Sequence, residues 1–210
     1  MESKKYLNII KHYENCISKH GDTLKGADWP NENDAILRYK IMLGLIKDGE
    51  TCNLLDFGCG AGHMFEFMTN QNKLYDYINY SGLDISEKII SLSKEKFPKN
   101  NFYCFDILQD DINTLSNFDY AILNGVFTEK IDLTFDEMWL YFKSMITVVF
   151  DKVDKGIAFN VMSKAVEWER DDLFHLPTDL LIDFMTKNLS RNFVIRNDYG
   201  LYEYTVYLYK

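Results

Sequence analysis

The chain has 210 residues, 47% of them hydrophobic and 26% charged, with 23 Lys and Arg against 32 Asp and Glu for a net charge of −9. A chain of that length can bury a full core without staples, and the composition is that of a folded globular protein rather than a disordered one. The negative field disfavours phosphate backbones and anionic lipid, so neither nucleic acid nor membrane is an expected partner.

No apolar run approaches the ~20 residues of a membrane span. The opening Met1-Glu2-Ser3-Lys4-Lys5 has no apolar stretch behind it and does not read as a signal peptide. Cys16, Cys52, Cys59 and Cys104 form no C-x-x-C pair, the usage of a reducing cytoplasm. The four histidines show neither H-x-x-x-H nor H-E-x-x-H spacing, and no metal is expected.

In chain order, residues 4–19 and 33–46 carry helical spacing, with Tyr6, Ile9, Ile10, Tyr13 and Ile17 on one stripe. Between them lies a loop from His20-Gly21 to Trp29-Pro30, and Asn31 or Asn33 is placed to cap the second helix. Residues 1–50 thus read as a helical lid segment ahead of one domain over 51–210. There strands at 52–57, 77–83, 102–105, 120–123 and 156–161 alternate with helices at 64–69, 86–96, 134–150 and 177–188. Residues 193–195 and 201–208 read as a terminal hairpin around Asp198-Tyr199-Gly200. Strands joined by crossover helices require a parallel sheet. The expected architecture is α/β, Rossmann-like and doubly wound: a mostly parallel seven-stranded sheet with an antiparallel C-terminal hairpin and an N-terminal helical lid.

The most informative segment is Leu54-Leu55-Asp56-Phe57-Gly58-Cys59-Gly60-Ala61-Gly62, between a predicted strand and a predicted helix. A dinucleotide fingerprint would need glycine at 63, where His63 stands. Asp56 would repel a pyrophosphate, but it can order the loop and answer a cationic ligand. Further polar residues follow at successive strand ends: Asp84, Asp106 and Asn124.

This order of motifs resembles the class I S-adenosylmethionine-dependent methyltransferases over residues 51–127. The resemblance implies that Asp56, Gly58, Cys59 and Gly60 form the cofactor loop, and that Asp84 with Ile85 holds both ribose hydroxyls. It places Asp106 with Ile107 near the adenine amine, and Asn124 with Gly125 near the ligand's ammonium group. S-adenosylmethionine would be the cofactor and S-adenosylhomocysteine the product. Asn124-Gly125-Val126-Phe127 lacks the two prolines that base-methylating relatives carry at this slot, which argues against a base as acceptor.

Methyl transfer to an activated sulfonium needs alignment and water exclusion, with proton removal where the acceptor requires it. His20 and His175 are the candidate bases, since an imidazole suits proton removal at neutral pH. Trp29 and Trp168 could stack on acceptor or cofactor, Arg170 could engage an anionic acceptor, and Arg38 could pair with the cofactor carboxylate. The His20-Gly21…Trp29 lid and the Asp198–Glu203 hairpin also look like a bacterial subgroup, implying a small-molecule acceptor, plausibly a sugar or sugar-linked group in surface polysaccharide synthesis. The alternatives are a binder that keeps the cofactor without turnover, and a nucleotide-dependent oxidoreductase. The tyrosines of the last strand suit a homodimer edge, and half-buried strand packing explains them as well.

Overall fold

A computed structural model describes residues 4–29 and 31–210; the opening three residues and Pro30 of the lid loop lie outside the described residues. The first helix, α1 (Leu7–His20), ends where Gly21 turns into the left-handed region and donates back to Ile17 O. The second, α2 (Glu32–Leu43), is capped by Asn31, whose side chain accepts from Asn33 N and Asp34 N.

The alternating region then runs β1 (Cys52–Phe57), α3 (His63–Thr69), β2 (Ile78–Asp84), α4 (Glu87–Lys96), β3 (Asn101–Cys104), β4 (Phe118–Phe127), α5 (Phe135–Asp151) and β5 (Val153–Ser163). It closes with β6 (His175–Leu176), α6 (Thr178–Asn188), β7 (Phe193–Arg196) and β8 (Glu203–Tyr209). Ser86 caps α4 through Ile89 N. A complete capping box of Thr134 and Glu137 starts α5.

The strands lie in the order β3-β2-β1-β4-β5-β8-β7, with β8 antiparallel to both its neighbours and the other pairings of this path parallel. An eighth strand, the two-residue β6, pairs with the end of β5 at Met162 and Ser163. It arises where the sequence reads as linker, because two residues carry no periodicity to detect. The dimer edge expected of the last strand is corrected. β8 lies inside the sheet between β5 and β7, and Tyr204 and Tyr207 are buried within the chain.

Side chains alternate between the two faces of the sheet. Leu55, Ala121, Leu123, Ile157 and Phe159 face one core layer with Phe142, Ile146 and Val149 of α5, while Leu54, Ile122 and Ala158 face the other with Met42 of α2 and Met64 of α3. Covered on both sides, the central strands need the continuous apolar runs they have. The carboxyl ends of β1, β2 and β4 consequently open toward a single edge of the sheet, the place where open α/β sheets bind ligands.

Candidate functional site

At that edge lies a cavity of about 160 Å³. Its floor is the turn after β1. Gly58 holds φ +73°, and a Cβ there would come within 2.7 Å of Val126 Cγ2, so this position takes glycine for both conformation and space. The turn is tied to β2 by Gly58 N and Cys59 N, which donate to Leu83 O at 2.7 and 3.0 Å. From α4, Ser93 Oγ donates to Gly60 O at 2.7 Å and Lys96 Nζ to Ala61 O at 3.2 Å.

The acids sit around this turn. Asp84, the last residue of β2, accepts from Gly60 N (3.0 Å) and from Ser86 N (2.9 Å), one bond to each oxygen. A carboxylate has about four lone-pair sites, so each oxygen can accept again from a ligand. Burial pushes its carboxyl above the ordinary value, with those backbone donors opposing. Asp56 is 3% exposed and accepts from Tyr80 Oη at 2.6 Å. Burial raises its carboxyl to about 7, Tyr80 pulling it down and Asp84 pushing it up. Asp106 accepts from Tyr6 Oη at 2.7 Å and from Leu108 N at 3.0 Å.

The opposite wall comes from a break in β4. Leu123 pairs with Phe159 but Phe127 with Val161, so β4 spends two extra residues over the span that contains Asn124, Gly125 and Val126. Gly125 holds φ +76°, and its N–H donates to the Asn160 side chain at 2.8 Å. Asn124 Oδ1 is buried without a protein partner, and Asn124 lines the cavity. Such an orphaned acceptor is costly unless a ligand or water satisfies it.

The roof is the lid. Tyr6, the residue ahead of α1, and Ile9, Ile10, Tyr13 and Ile17 on its apolar stripe all line the cavity. Asp22 of the following loop pairs with His63 Nε2 (2.8 Å) and Lys96 Nζ (3.0 Å), and Trp29 packs over Gly125, stacks on Tyr39 and faces the cavity. Burial lowers the His63 pKa, with Asp22 partly opposing.

The structure therefore brings Asp56, Gly58, Cys59, Gly60, Asp84, Ile85, Asp106, Ile107, Asn124, Gly125 and Trp29 to one cavity. It does not bring the remaining sequence candidates there. His20 is exposed outside the lining. His175 is 5% exposed and spends both ring nitrogens, Nδ1 on Ser163 O (2.7 Å) and Nε2 on Arg170 N (3.4 Å), so it has no free site for an acceptor proton. Trp168 is 40% exposed against His175 and Tyr202, and Arg170 is bound to Asp172.

Arg38 also serves elsewhere. Its guanidinium donates to buried Glu203 through Nε at 2.9 and 2.8 Å, Asn160 Nδ2 donates to the same carboxylate at 2.9 Å, and Asn160 Oδ1 holds Gly125 N. The arginine thus buttresses the cavity wall through two intermediaries, and it lies 4.8 Å under the Trp29 ring. Sequence reasoning missed Tyr6, Tyr13, His63 and Tyr141 in the lining. It also missed Glu129, raised to about 7 chiefly by burial and close enough to Tyr13 to push that hydroxyl up.

A glycine turn after the first strand, acids at the next two strand ends and a sheet ending in an antiparallel pair together mark the fold, and residues 55–140 match the family model for a methyltransferase domain. The chain has the class I methyltransferase fold. A methyltransferase-like protein of Mycobacterium tuberculosis is 21% identical over 171 residues, 79% of this chain and 98% of that one. A tRNA (guanine-N(7)-)-methyltransferase of Prochlorococcus marinus is 28% identical over 152 residues, 68% of this chain and 65% of that one. Among solved structures, a TehB-like S-adenosylmethionine-dependent methyltransferase from Corynebacterium glutamicum superposes with a TM-score of 0.58 at 15% identity, covering 95% of this chain and 99% of that one. Among the described residues, no helix is long and apolar enough to cross a membrane.

Proposed function

We propose that the chain transfers a methyl group from S-adenosylmethionine to an oxygen or nitrogen nucleophile of a small molecule. The observation that carries this reading is the convergence of Asp56, Asp84, Asp106 and the orphaned Asn124 oxygen on one cavity floored by the glycine turn. The residues present fit the cofactor. Asp84 keeps lone pairs for two vicinal hydroxyls, Asp56 answers a cationic centre, and Asn124 Oδ1 accepts from an N–H donor such as an ammonium group. When bound, the cofactor supplies a methyl carbon already activated on a sulfonium.

What the chain contributes is alignment and exclusion of water, which can be worth on the order of 7–11 kcal/mol. The α1 roof and Trp29 cover the cavity with apolar surface, and Tyr13 and Trp29 offer flat faces to an acceptor ring. Those faces support the narrower reading of a sugar or sugar-linked acceptor. His175 is engaged by Ser163 and Arg170, and His20 lies outside the lining, so neither is placed to take an acceptor proton. The excess of acidic residues favours a small acceptor over tRNA.

The test is methyl transfer from radiolabelled S-adenosylmethionine across a panel of hydroxyl- and amine-bearing metabolites, nucleotide sugars included, with tRNA as a further arm. Acceptor-dependent formation of S-adenosylhomocysteine on a small molecule is expected. Cofactor binding with no turnover on any acceptor would favour a non-catalytic binder, and labelling of tRNA alone would overturn the acceptor class.

A further inference from the structure

Among the described residues, one cluster of ligand-type side chains stands outside the cavity, on α1 and the loop that follows it. His12 and Cys16 are one helical turn apart, and Asp28 reaches them from the lid loop. His12 Nε2 lies 2.7 Å from Asp28 Oδ2 and 3.7 Å from Cys16 Sγ, and the three ligand atoms all fall within 4.8 Å of one another. Asp28 holds φ +59°, a region that residues other than glycine enter rarely.

A cysteine–histidine–aspartate relay would use the two ring nitrogens for two different neighbours, so that a proton could pass through the imidazole. Here one nitrogen faces both the thiol and the carboxylate, and no relay can run. A thiol, an imidazole nitrogen and a carboxylate oxygen aimed at one point are instead the donor set of a tetrahedral zinc site. Bond lengths of ~2.0–2.3 Å to zinc place tetrahedral ligands about 3.3–3.6 Å apart. The sulfur–nitrogen separation is already near that range, and the nitrogen–oxygen pair need open by only about 0.6 Å.

We propose that His12, Cys16 and Asp28 form a zinc site that clasps α1 to the lid loop. Zinc takes three protein ligands here and completes its tetrahedron with water or an exogenous donor. The clasp joins two segments that both line the cavity, α1 through Tyr13 and the loop through Ala27 and Trp29, so it fixes the roof without entering the site. The inference stands on these contacts alone, independent of the methyl-transfer reading.

The test uses the full chain in chelator-treated, metal-free buffer, titrated with Zn²⁺ by calorimetry and with Co²⁺ by absorption. One equivalent of each is expected to bind, the cobalt form showing tetrahedral bands and thiolate-to-cobalt charge transfer. Cys16→Ser and His12→Ala should each abolish that spectrum and weaken zinc by at least the ~10–100-fold that losing a mere supporting partner costs. Cys104→Ser, on the exposed thiol elsewhere, should leave both unchanged. Wild-type-like melting of the metal-free variants separates ligand loss from unfolding, and near-isosteric Cys16→Ser keeps the test decisive if His12→Ala does not fold. Absence of stoichiometric binding by the wild type, or a cobalt spectrum that survives Cys16→Ser, would overturn the site.

Discussion

Asp84 carries two tasks at once, and its substitution separates them from the rest of the pocket. It fixes the glycine turn through Gly60 N and leaves lone pairs free toward the cavity. Asp84→Asn replaces one acceptor with an NH₂ that must face a backbone N–H. With hydrogen bonds to charged groups worth ~1.5–3 kcal/mol, S-adenosylhomocysteine should bind ~10–100-fold more weakly by calorimetry.

Asp56 makes a pH prediction. Its folded-state pKa of about 7 lies above the ordinary 3.8, so the stability it contributes is greatest in acid and is lost as pH rises through about 7. A cationic ligand favours the ionised form, so S-adenosylmethionine should bind more tightly as pH increases from about 6 to 8 and should release a proton. Calorimetry in buffers of different ionisation enthalpy measures that proton, and Asp56→Asn should remove it. The glycines and acids of the turn were legible because each follows a strand visible as an apolar run. Tyr6 was not, since its partner Asp106 stands a hundred residues away, and His175 read as free because sequence does not show the carbonyl of Ser163 beside it.

At the scale of elements, the signals that worked were local. Asn31 and Ser86 cap their helices as their residue types suggest, while Thr134, which the spacing counts as the first helical residue, is the N-cap of α5. Thr134→Ala breaks the capping box of α5 and should cost ~1 kcal/mol, lowering the melting temperature by about 2–4 °C with cofactor affinity unchanged. Where the fold departs from the local pattern, the cause is tertiary. β4 runs to Phe127, beyond the four residues its pattern marked, because Gly125 donates to a side chain on β5 and the bulge is carried across the sheet. The zinc ligands escaped a search for paired histidines because Cys16 supplies the second helical donor and Asp28 arrives only when the loop folds back.

Across the whole molecule, the longest-range feature is the chain of contacts from α2 through β8 and β5 to the cavity wall. Glu203 is 1% exposed, and Arg38 is the cation the structure places against it. Removing one partner of a buried pair leaves an uncompensated charge, so Arg38→Ala should destabilise the fold by ~3–5 kcal/mol. Were Arg38 instead a direct ligand of the cofactor carboxylate, binding would weaken while thermal unfolding stayed near wild type, and the two measured together distinguish the roles. The layer order was legible because alternating elements admit few topologies. The lid's closure over the sheet edge was legible only as an expectation, since helix α1 reaches its place through contacts with α4 and the β3 end that no local pattern encodes.

A crystal structure of the full chain with S-adenosylhomocysteine tests the central claim most directly. The ligand should lie in the carboxyl-edge cavity beneath α1, with its ribose hydroxyls on Asp84 and a donor group on Asn124 Oδ1. Density for the ligand anywhere else, or a ribose that leaves Asp84 untouched, would contradict it.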